Sequence, residues 1–270
     1  MIRKARFAGL WYPAEKETLE AITGDMQGSG PYDAAVLPHA GLMYSGTLIR
    51  SVLSRIPHDT ERVIILSPSH YFHLPPSLLV TSSFSEAETP FGMLRCSPLD
   101  IPDAVLCNEA IAAEHGVEMF LPFIRRKGDI NVSFGIISSL RTAEDASAIA
   151  HQIAGKSGER TVLIASSDFT HYGKRFGYTP YGNDGRKETE SHDDRCAEML
   201  AEGKGCRAYS EYRRSTICGI AAAAIAAEYS SQLGLKGEMG AHALSSDISA
   251  DSDGFVSYRT VMWRKCDRQQ

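Results

Sequence analysis

Three histidines follow short apolar segments at the points where those segments end. The run AAVL leads into PHAG with His39, VIIL leads into SPSH with His70, and VLIA leads into SSDFTH with His171. If these segments are parallel neighbouring strands, their carboxyl ends open on one sheet edge, about 5 to 10 Å apart, where open α/β sheets bind ligands. Neutral imidazole is the commonest protein ligand for intermediate metals, so we treat His39 and His70 as candidate metal ligands.

A cysteine and a carboxylate in neighbouring blocks extend this chemistry. Cys218 comes just before an alanine-rich helical stretch, where a helix N-terminus would stabilise a thiolate able to bind metal. The alternative is that Cys218 is a small buried apolar side chain. Asp168 stands three residues before His171, and this spacing would let the carboxylate hold the imidazole in one tautomer for acid or base catalysis.

The block EHGVEMFLPF supplies Glu114, His115 and Glu118. On a helix, the two carboxylates would be four residues apart and would share one face. They would then either orient metal-binding histidines or form a solvated helix face. Both interpretations stay open.

Alternating apolar and helical patterns indicate the elements that position these side chains. The predicted strands are 34–37, 63–66, 77–81, 130–137, 162–165 and 255–263. The predicted helices are 14–26, 47–55, 107–115 or beyond, 143–154, 196–202 and 218–233. Continuously apolar strands separated by helices predict an α/β fold, a three-layer α/β/α sandwich around a largely parallel or mixed sheet. No repeat or Pro/Gly-rich linker divides the 270 residues, which favours a single domain over 1–270.

Composition excludes several classes of function. Twenty-eight basic and 33 acidic residues give a net charge of −5, which offers no general attraction for nucleic acid. The longest apolar run, 220–227, is far shorter than the ~20 residues of a membrane-spanning helix. Six scattered cysteines without a CxxC pair are typical of reduced thiols, and the first residues lack a secretory pattern. We therefore expect a cytoplasmic protein with neither nucleic acid nor membrane as a partner.

Seven blocks in order give the sequence a family resemblance. They are AGLWYPA (8–14), PHAGLMYSG (38–46), SPSH (67–70), ETPFG (88–92), EHGVEMFLPF (114–123), SSDFTHYGKRFGY (166–178) and STICG (215–219). Together they resemble the Memo family, also called AmmeMemoRadiSam system protein B in prokaryotes. The resemblance implies a fold similar to class III extradiol dioxygenases, with a non-haem metal pocket at the sheet edge.

Site residues follow from the same resemblance. It implies iron or copper held by His39, His70 and Cys218, with Asp168 and His171 lining the pocket. A thiolate is softer than the carboxylate of the dioxygenases and shifts the preference toward copper or zinc. We expect Fe²⁺ first, with copper or zinc as alternatives.

Three functions are compatible with such a pocket. The leading hypothesis is an O₂-dependent, dioxygenase-like oxidoreductase of unknown substrate, in which His171 and Asp168 act in proton transfer. Glu114, His115, Glu118 and Tyr44 would line or support the pocket. A zinc hydrolase ranks lowest, because its expected general-base glutamate is missing beside a ligand.

A binding protein is the alternative from a different class. Its pocket would capture a (phospho)peptide, a small molecule or a protein partner without a reaction. Tyr44, Tyr172, Tyr178 and Tyr181 would line the groove. The family name adds Ammecr-domain and radical-SAM proteins as candidate partners, by analogy alone. The polar stretch 182–195 is predicted as a solvated loop, with a lid over the pocket as the alternative.

Overall fold

The computed structural model of the chain describes residues 1–182, 185–249 and 253–266. In chain order the strands are β1 (Ile2–Arg3), β2 (Ala34–Leu37), β3 (Arg62–Ser67), β4 (Val80–Thr81), β5 (Glu86–Thr89), β6 (Gly92–Arg95), β7 (Val105–Leu106), β8 (Asn131–Ile136), β9 (Thr161–Ser166), β10 (His171–Tyr172), β11 (Lys236–Leu244) and β12 (Phe255–Arg264). Within the described residues, nine of these strands form one mixed sheet in the order β10-β12-β2-β9-β3-β8-β4-β7, with β11 paired to β12. A smaller sheet has the order β1-β5-β6.

Four parallel strands form the centre of the large sheet. Strands β2, β9, β3 and β8 are neighbours in that order, with Val36 opposite Ala165 and Ile64 opposite Leu163. Nearly every residue in them is buried, which explains their continuous apolar character. Because β2, β9 and β3 are parallel neighbours, the loops that follow them open on one edge. This confirms the arrangement expected from the three histidine-bearing strand ends.

Helices cover both faces of the sheet. They are α1 (Lys16–Thr23), α2 (Leu42–Leu53), α3 (Asn108–Ala113), α4 (Leu121–Lys127), α5 (Glu144–Ala154), α6 (Arg186–Ala201), α7 (Gly205–Tyr212) and α8 (Ile220–Gln232). Residues of α1 to α4 pack with one face of the central strands, and residues of α5 to α8 pack with the other. The predicted α/β class with helices on both faces is confirmed.

Helix α6 corrects the prediction for 182–195. Residues 183–184 lie outside the described residues, but from Arg186 onward the stretch is helical and neither a loop nor a lid. The buried face of α6 includes the polar residues Thr189 and Asp193. The Asp193 carboxylate accepts a 2.6 Å hydrogen bond from the Thr170 hydroxyl, which compensates for its burial. Polar residues on the buried face obscured the helical pattern in the sequence.

Other boundaries also differ from the sequence predictions. The helix predicted over 107–115 ends at Ala113, and α2 begins at Leu42 instead of residue 47. The long strand β11 was missed, because KGEMGAHAL is polar and contains two glycines. No helix among the described residues is long and apolar enough to cross a membrane.

We expect Ile64→Ala to lower the free energy of unfolding by about 2 to 5 kcal/mol, because the side chain is fully buried in a central strand. Urea unfolding followed by circular dichroism measures this loss. Val105→Ala is the control, since Val105 is 47% exposed on the short strand β7, and it should change stability by less than about 0.5 kcal/mol. Equal losses for the two variants would contradict the assignment of β3 to the centre of the core.

Candidate metal centre

His39 lies buried just after β2, and a serine hydroxyl fixes one of its ring nitrogens. Its Nδ1 is 2.6 Å from Ser166 Oγ, and Ser166 Oγ donates a 2.7 Å hydrogen bond to the carbonyl oxygen of Gly116. Since the single hydroxyl proton of Ser166 is donated to the Gly116 carbonyl, Ser166 Oγ accepts a hydrogen bond from the N–H at His39 Nδ1. The Nε2 atom of His39 is therefore the ring nitrogen with a free lone pair.

His70 follows β3 and is oriented by a buried carboxylate. Its Nδ1 donates to Glu114 Oε1 at 2.8 Å, and its backbone N–H donates to Glu114 Oε2 at 2.8 Å. Burial disfavours ionisation of Glu114, but the hydrogen bonds and charge of His70 outweigh it and lower the pKa of this carboxyl. The Nε2 atom of His70 is left free, as in carboxylate-oriented metal-binding histidines.

His115 brings a third imidazole to the same place. Its Nδ1 lies 3.2 Å from the Tyr71 hydroxyl, and its ring centre lies 4.2 Å from that of Trp11. Burial, followed by the nearby His70, lowers the pKa of His115 to about 4. Burial and the same neighbouring imidazoles also hold the pKa of His39 well below its ordinary value. Both rings are therefore neutral near pH 7, the form in which imidazole binds metal.

The three imidazoles together can hold a metal ion. Potential ligand atoms of His39, His70 and His115 all lie within 4.8 Å of one another. Metal–nitrogen bonds of about 2.0 to 2.1 Å place ligands around a common ion closer than this limit, so small side-chain movements suffice to close the site. A donor set of three hydrogen-bonded imidazoles suits zinc, copper or iron.

Cys218 lies directly beside this three-histidine cluster. Its Sγ is 3.2 Å from His39 Nε2 and 3.5 Å from the carbonyl oxygen of Asp168. The thiol atom points inward, and its burial, followed by the charge of Asp168, raises the pKa of Cys218 well above its ordinary value. Burial therefore opposes the thiolate stabilisation expected from the start of α8. The assignment of Cys218 as a metal ligand stays a prediction.

Glycines allow the close backbone approaches that assemble the site. A Cβ atom on Gly219 would lie 2.2 Å from the carbonyl oxygen of Ser166, so only glycine lets the start of α8 reach the end of β9. A Cβ atom on Gly116 would lie 2.2 Å from Ser67 Oγ and 3.1 Å from Ser166 Oγ. These contacts place Cys218 and the His115 turn against the strand ends.

Asp168 and His171 occupy the predicted loop but do not form the expected pair. Asp168 Oδ1 accepts hydrogen bonds from the backbone N–H groups of His39 at 2.8 Å and Ala40 at 3.3 Å. His171 Nδ1 instead donates to backbone carbonyls, with Thr216 at 2.9 Å and Phe169 at 3.1 Å. The prediction that Asp168 holds the tautomer of His171 is wrong. Backbone carbonyls perform that task and leave His171 Nε2 free.

Burial raises the pKa of Asp168, while the electrostatic effect of the nearby His171 opposes that rise. His171 also affects the pKa of His39, so it lies near both groups. The two catalytic candidates therefore lie at the same sheet edge as the histidine cluster. Their roles in a reaction stay predictions.

Glu114 and Glu118 do not share a helix face, because α3 ends at Ala113 and Glu114 has extended backbone angles. Glu114 orients His70, as described above. Glu118 forms a fully buried ion pair with Arg3 at 2.5 Å. The two carboxylates thus serve different neighbours on either side of His115.

The four tyrosines of the predicted groove do not form one surface. Tyr44 is half-buried in the first turn of α2. Tyr172 is buried and stacked between Tyr181 and Phe255, with ring centres 6.2 and 5.2 Å away. Tyr178 packs edge-on against the same ring. This stack explains three of the four tyrosines as packing.

Sequence reasoning missed Ser166, Trp11 and Tyr71 as parts of the site. Ser166 is the last residue of β9, and its small polar side chain within a buried strand was the available signal. Trp11 and Tyr71 reach the histidines only through folding of loops, which no spacing in the sequence indicates. His115 was predicted only to line or support the pocket, yet its ring lies among the candidate ligands.

Comparison with known families decides the wider assignment. A family model described as Memo-like protein matches residues 3–262, which include every site residue described above. The chain belongs to the Memo-like protein family. The resemblance carried by the seven sequence blocks is thereby confirmed.

Relatives of this Memo-family chain come from distant organisms. A MEMO1 family protein from Thermococcus onnurineus is 26% identical, with 98% of this chain and 100% of that protein covered. Protein MEMO1 from Danio rerio is 28% identical, with 80% of each chain covered. The uncharacterized protein JW3007 from Escherichia coli K12 has a similar structure, with a TM-score of 0.52, 15% identity, and 84% of this chain and 98% of that chain covered. That similarity shows the fold alone.

We expect zinc binding near pH 7 to release about one proton per ion, because the Cys218 thiol is protonated before it becomes a thiolate ligand. Calorimetric titration in two buffers of different ionisation enthalpy measures the released protons. Cys218→Ser should abolish the release, whereas Cys107→Ser should keep it. A wild-type protein that binds zinc without releasing protons would show that neutral histidines bind the ion without the thiolate.

We expect Gly116→Ala to weaken metal affinity about 10- to 100-fold, because the added Cβ would meet Ser67 Oγ at 2.2 Å and press on Ser166 and Glu114, which bond the His39 and His70 rings. Competition with a chromophoric chelator measures the affinity. Gly158→Ala is the matched control, since a Cβ there meets its nearest atom, Thr161 Oγ1, at 3.9 Å. Indistinguishable affinities for the two variants would contradict the role of the Gly116 contact.

Proposed function

We propose that the protein holds an iron or copper ion at His39 and His70, with Cys218 and His115 beside them, and is an O₂-dependent oxidoreductase. The observation that carries this proposal is the convergence of three imidazoles and one thiol at the carboxyl edge of the parallel strands. Nitrogen and sulfur donors of this kind favour redox-active transition metals over magnesium or calcium. The family assignment is compatible with this reading.

Access to the site is asymmetric, which a reaction with an external substrate requires. The His70 side chain is 27% exposed, whereas His39 and His115 are almost fully buried. A small substrate can therefore approach from the His70 side while the opposite side stays closed to water. A redox-active metal bound here would supply electron transfer to O₂ and charge stabilisation for an anionic substrate oxygen.

The protein groups provide binding geometry and proton transfer. Ser166 and Glu114 fix the His39 and His70 rings so that their Nε2 atoms are available. Asp168 fixes the backbone of the loop that carries His39. His171 has its Nδ1 committed to backbone carbonyls, so its Nε2 can accept a proton from a phenolic or other acidic substrate.

A second candidate function is capture of a peptide or protein partner at the same mouth. Exposed apolar side chains favour it, with Leu10 79% exposed, Met43 66% and Tyr71 51%. The Tyr71 hydroxyl contacts His115, and a hydrogen bond from the Leu42 amide to the Trp11 carbonyl joins the segments of Met43 and Leu10. Zinc-dependent hydrolysis is less favoured, because both Glu114 oxygens already accept hydrogen bonds and neither serves as a free base.

We expect protein loaded with Fe(II) under anaerobic conditions to consume O₂ when a member of a catechol and phenol panel is added. His171→Gln should keep the metal and lose about 10²- to 10⁴-fold in kcat, since it removes the proton acceptor. An oxygen electrode with parallel metal analysis makes the measurement, with His151→Gln on the exposed side of α5 as the control. Oxygen consumption no faster than that of His39→Ala across the panel would exclude the oxidoreductase.

In that case, metal-independent affinity for a peptide panel, retained in His39→Ala, would support the binding function. Peptide affinity is measured by fluorescence polarisation. Met43→Ser removes exposed apolar surface without touching the histidines and serves to locate the bound peptide. Loss of binding in Met43→Ser, with binding retained in His39→Ala, would place the peptide on the exposed apolar residues around Met43.

A further inference from the structure

The buried carboxylate of Glu118, which is not a candidate metal ligand, accepts hydrogen bonds from several residues of the segment 3–12. Glu118 is fully buried and accepts hydrogen bonds from Arg3 Nη1 at 2.5 Å, from the Phe7 amide at 2.8 Å and from the Tyr12 hydroxyl at 2.8 Å. The Arg6 amide adds a fourth contact at 3.2 Å. All four donors belong to residues 3–12, so a single carboxylate fixes this whole segment to the turn that contains His115.

Arg3 forms hydrogen bonds to residues on both sides of His115 in the chain. Its Nη2 donates to the carbonyl oxygen of Glu114 at 2.9 Å, and its Nε donates to the carbonyl oxygen of Ile111 at 3.2 Å. Together with the Glu118 ion pair, one guanidinium therefore bonds the chain before His115 and the chain after it. The planar fork of arginine allows these simultaneous contacts, which a lysine ammonium does not reproduce.

Two aromatic side chains of the segment 3–12 pack against the His115 ring. Trp11 lies with its ring centre 4.2 Å from that of His115, and Phe7 packs edge-on at 5.9 Å. The two aromatic rings also pack on each other at 5.8 Å. His115 is thus held through its backbone by Arg3 and Glu118 and through its ring by Trp11 and Phe7.

We propose that residues 3–12, fixed by the buried Arg3–Glu118 ion pair and by Tyr12, form a clamp that positions the His115 imidazole in the metal centre. This inference rests on the proposed metal-binding function. Arg3, Tyr12 and Glu118 are positioning residues, since they touch neither the ion nor a substrate. Loss of clamp contacts leaves the His115 ring free to move relative to His39 and His70.

The test uses two variants chosen to keep the charges of the fold. Tyr12→Phe removes one hydrogen bond to Glu118, and Arg3→Lys keeps the positive charge but loses the bonds to the Ile111 and Glu114 carbonyls. Neither leaves an unpaired buried charge, unlike removal of Arg3 or Glu118 alone. Tyr209→Phe is the matched control, because it removes an equally buried hydroxyl that bonds the Leu140 backbone on the other face of the sheet.

The first measurement needs no metal. In ¹³C-histidine-labelled full-length protein, the His115 ring protons, assigned with His115→Gln, should be shifted by the ring current of Trp11. In Tyr12→Phe and Arg3→Lys these resonances should move toward the positions of solvent-exposed histidines, and in Tyr209→Phe they should stay unchanged. Unmoved His115 resonances in both clamp variants would overturn the proposal.

The second measurement is Co(II) titration followed by visible absorption. Both clamp variants should bind Co(II) about 10-fold more weakly and with shifted absorption bands, as expected when residues that orient a ligand are altered. Tyr209→Phe should keep the wild-type spectrum and affinity. Moved His115 resonances with an unchanged Co(II) spectrum and affinity would overturn the link to the metal centre. Failure of wild-type protein to bind Co(II) would reject the proposed function, while the metal-free spectra still decide whether the clamp positions His115.

Discussion

Parallel pairing of β2, β9 and β3 brings three chain segments to one edge, because parallel strands all end on the same side of a sheet. This pairing places three loops close together: the loop with His39, the loop with His70, and the loop with Asp168 and His171. Helix α8 and the turn with His115 then approach the same edge from opposite faces. The distances among the candidate metal ligands depend on this strand register.

Because the imidazoles are largely removed from water, hydrogen bonds to protein groups set the orientation of each ring. A buried polar atom without a partner is costly, so Ser166, Glu114 and the Thr216 carbonyl each bind one ring nitrogen and fix its tautomer. The other nitrogen of His39 faces the Cys218 thiol, and those of His70 and His171 have no hydrogen bond among the described residues. The same removal from water lowers the pKa of His39 and His115, so structural burial and readiness for metal have one physical cause.

Much of the sheet was predictable, and the reason is visible in its residues. The run 34–37 coincides with β2, and 63–66 and 162–165 lie within β3 and β9, because buried parallel strands are continuously apolar. Strand β11 and the first half of α6 were not predicted, because both segments are rich in polar residues and show no clear apolar pattern. At the site, residues directly after strands were found, whereas the Asp168–His171 pairing failed because a backbone carbonyl took its place.

Helix α8 is buried almost all round, and six of its ten buried residues are alanine. Alanine loses no side-chain conformational entropy when it is buried, unlike leucine or methionine. Packing α8 between the sheet and its neighbouring helices therefore immobilises a long stretch of backbone without restricting rotamers. Cys218 stands just before that immobilised stretch, so the thiol is held beside His39 at a low entropic cost. Whatever binds at this thiol therefore has little further motion of the side chain to restrict.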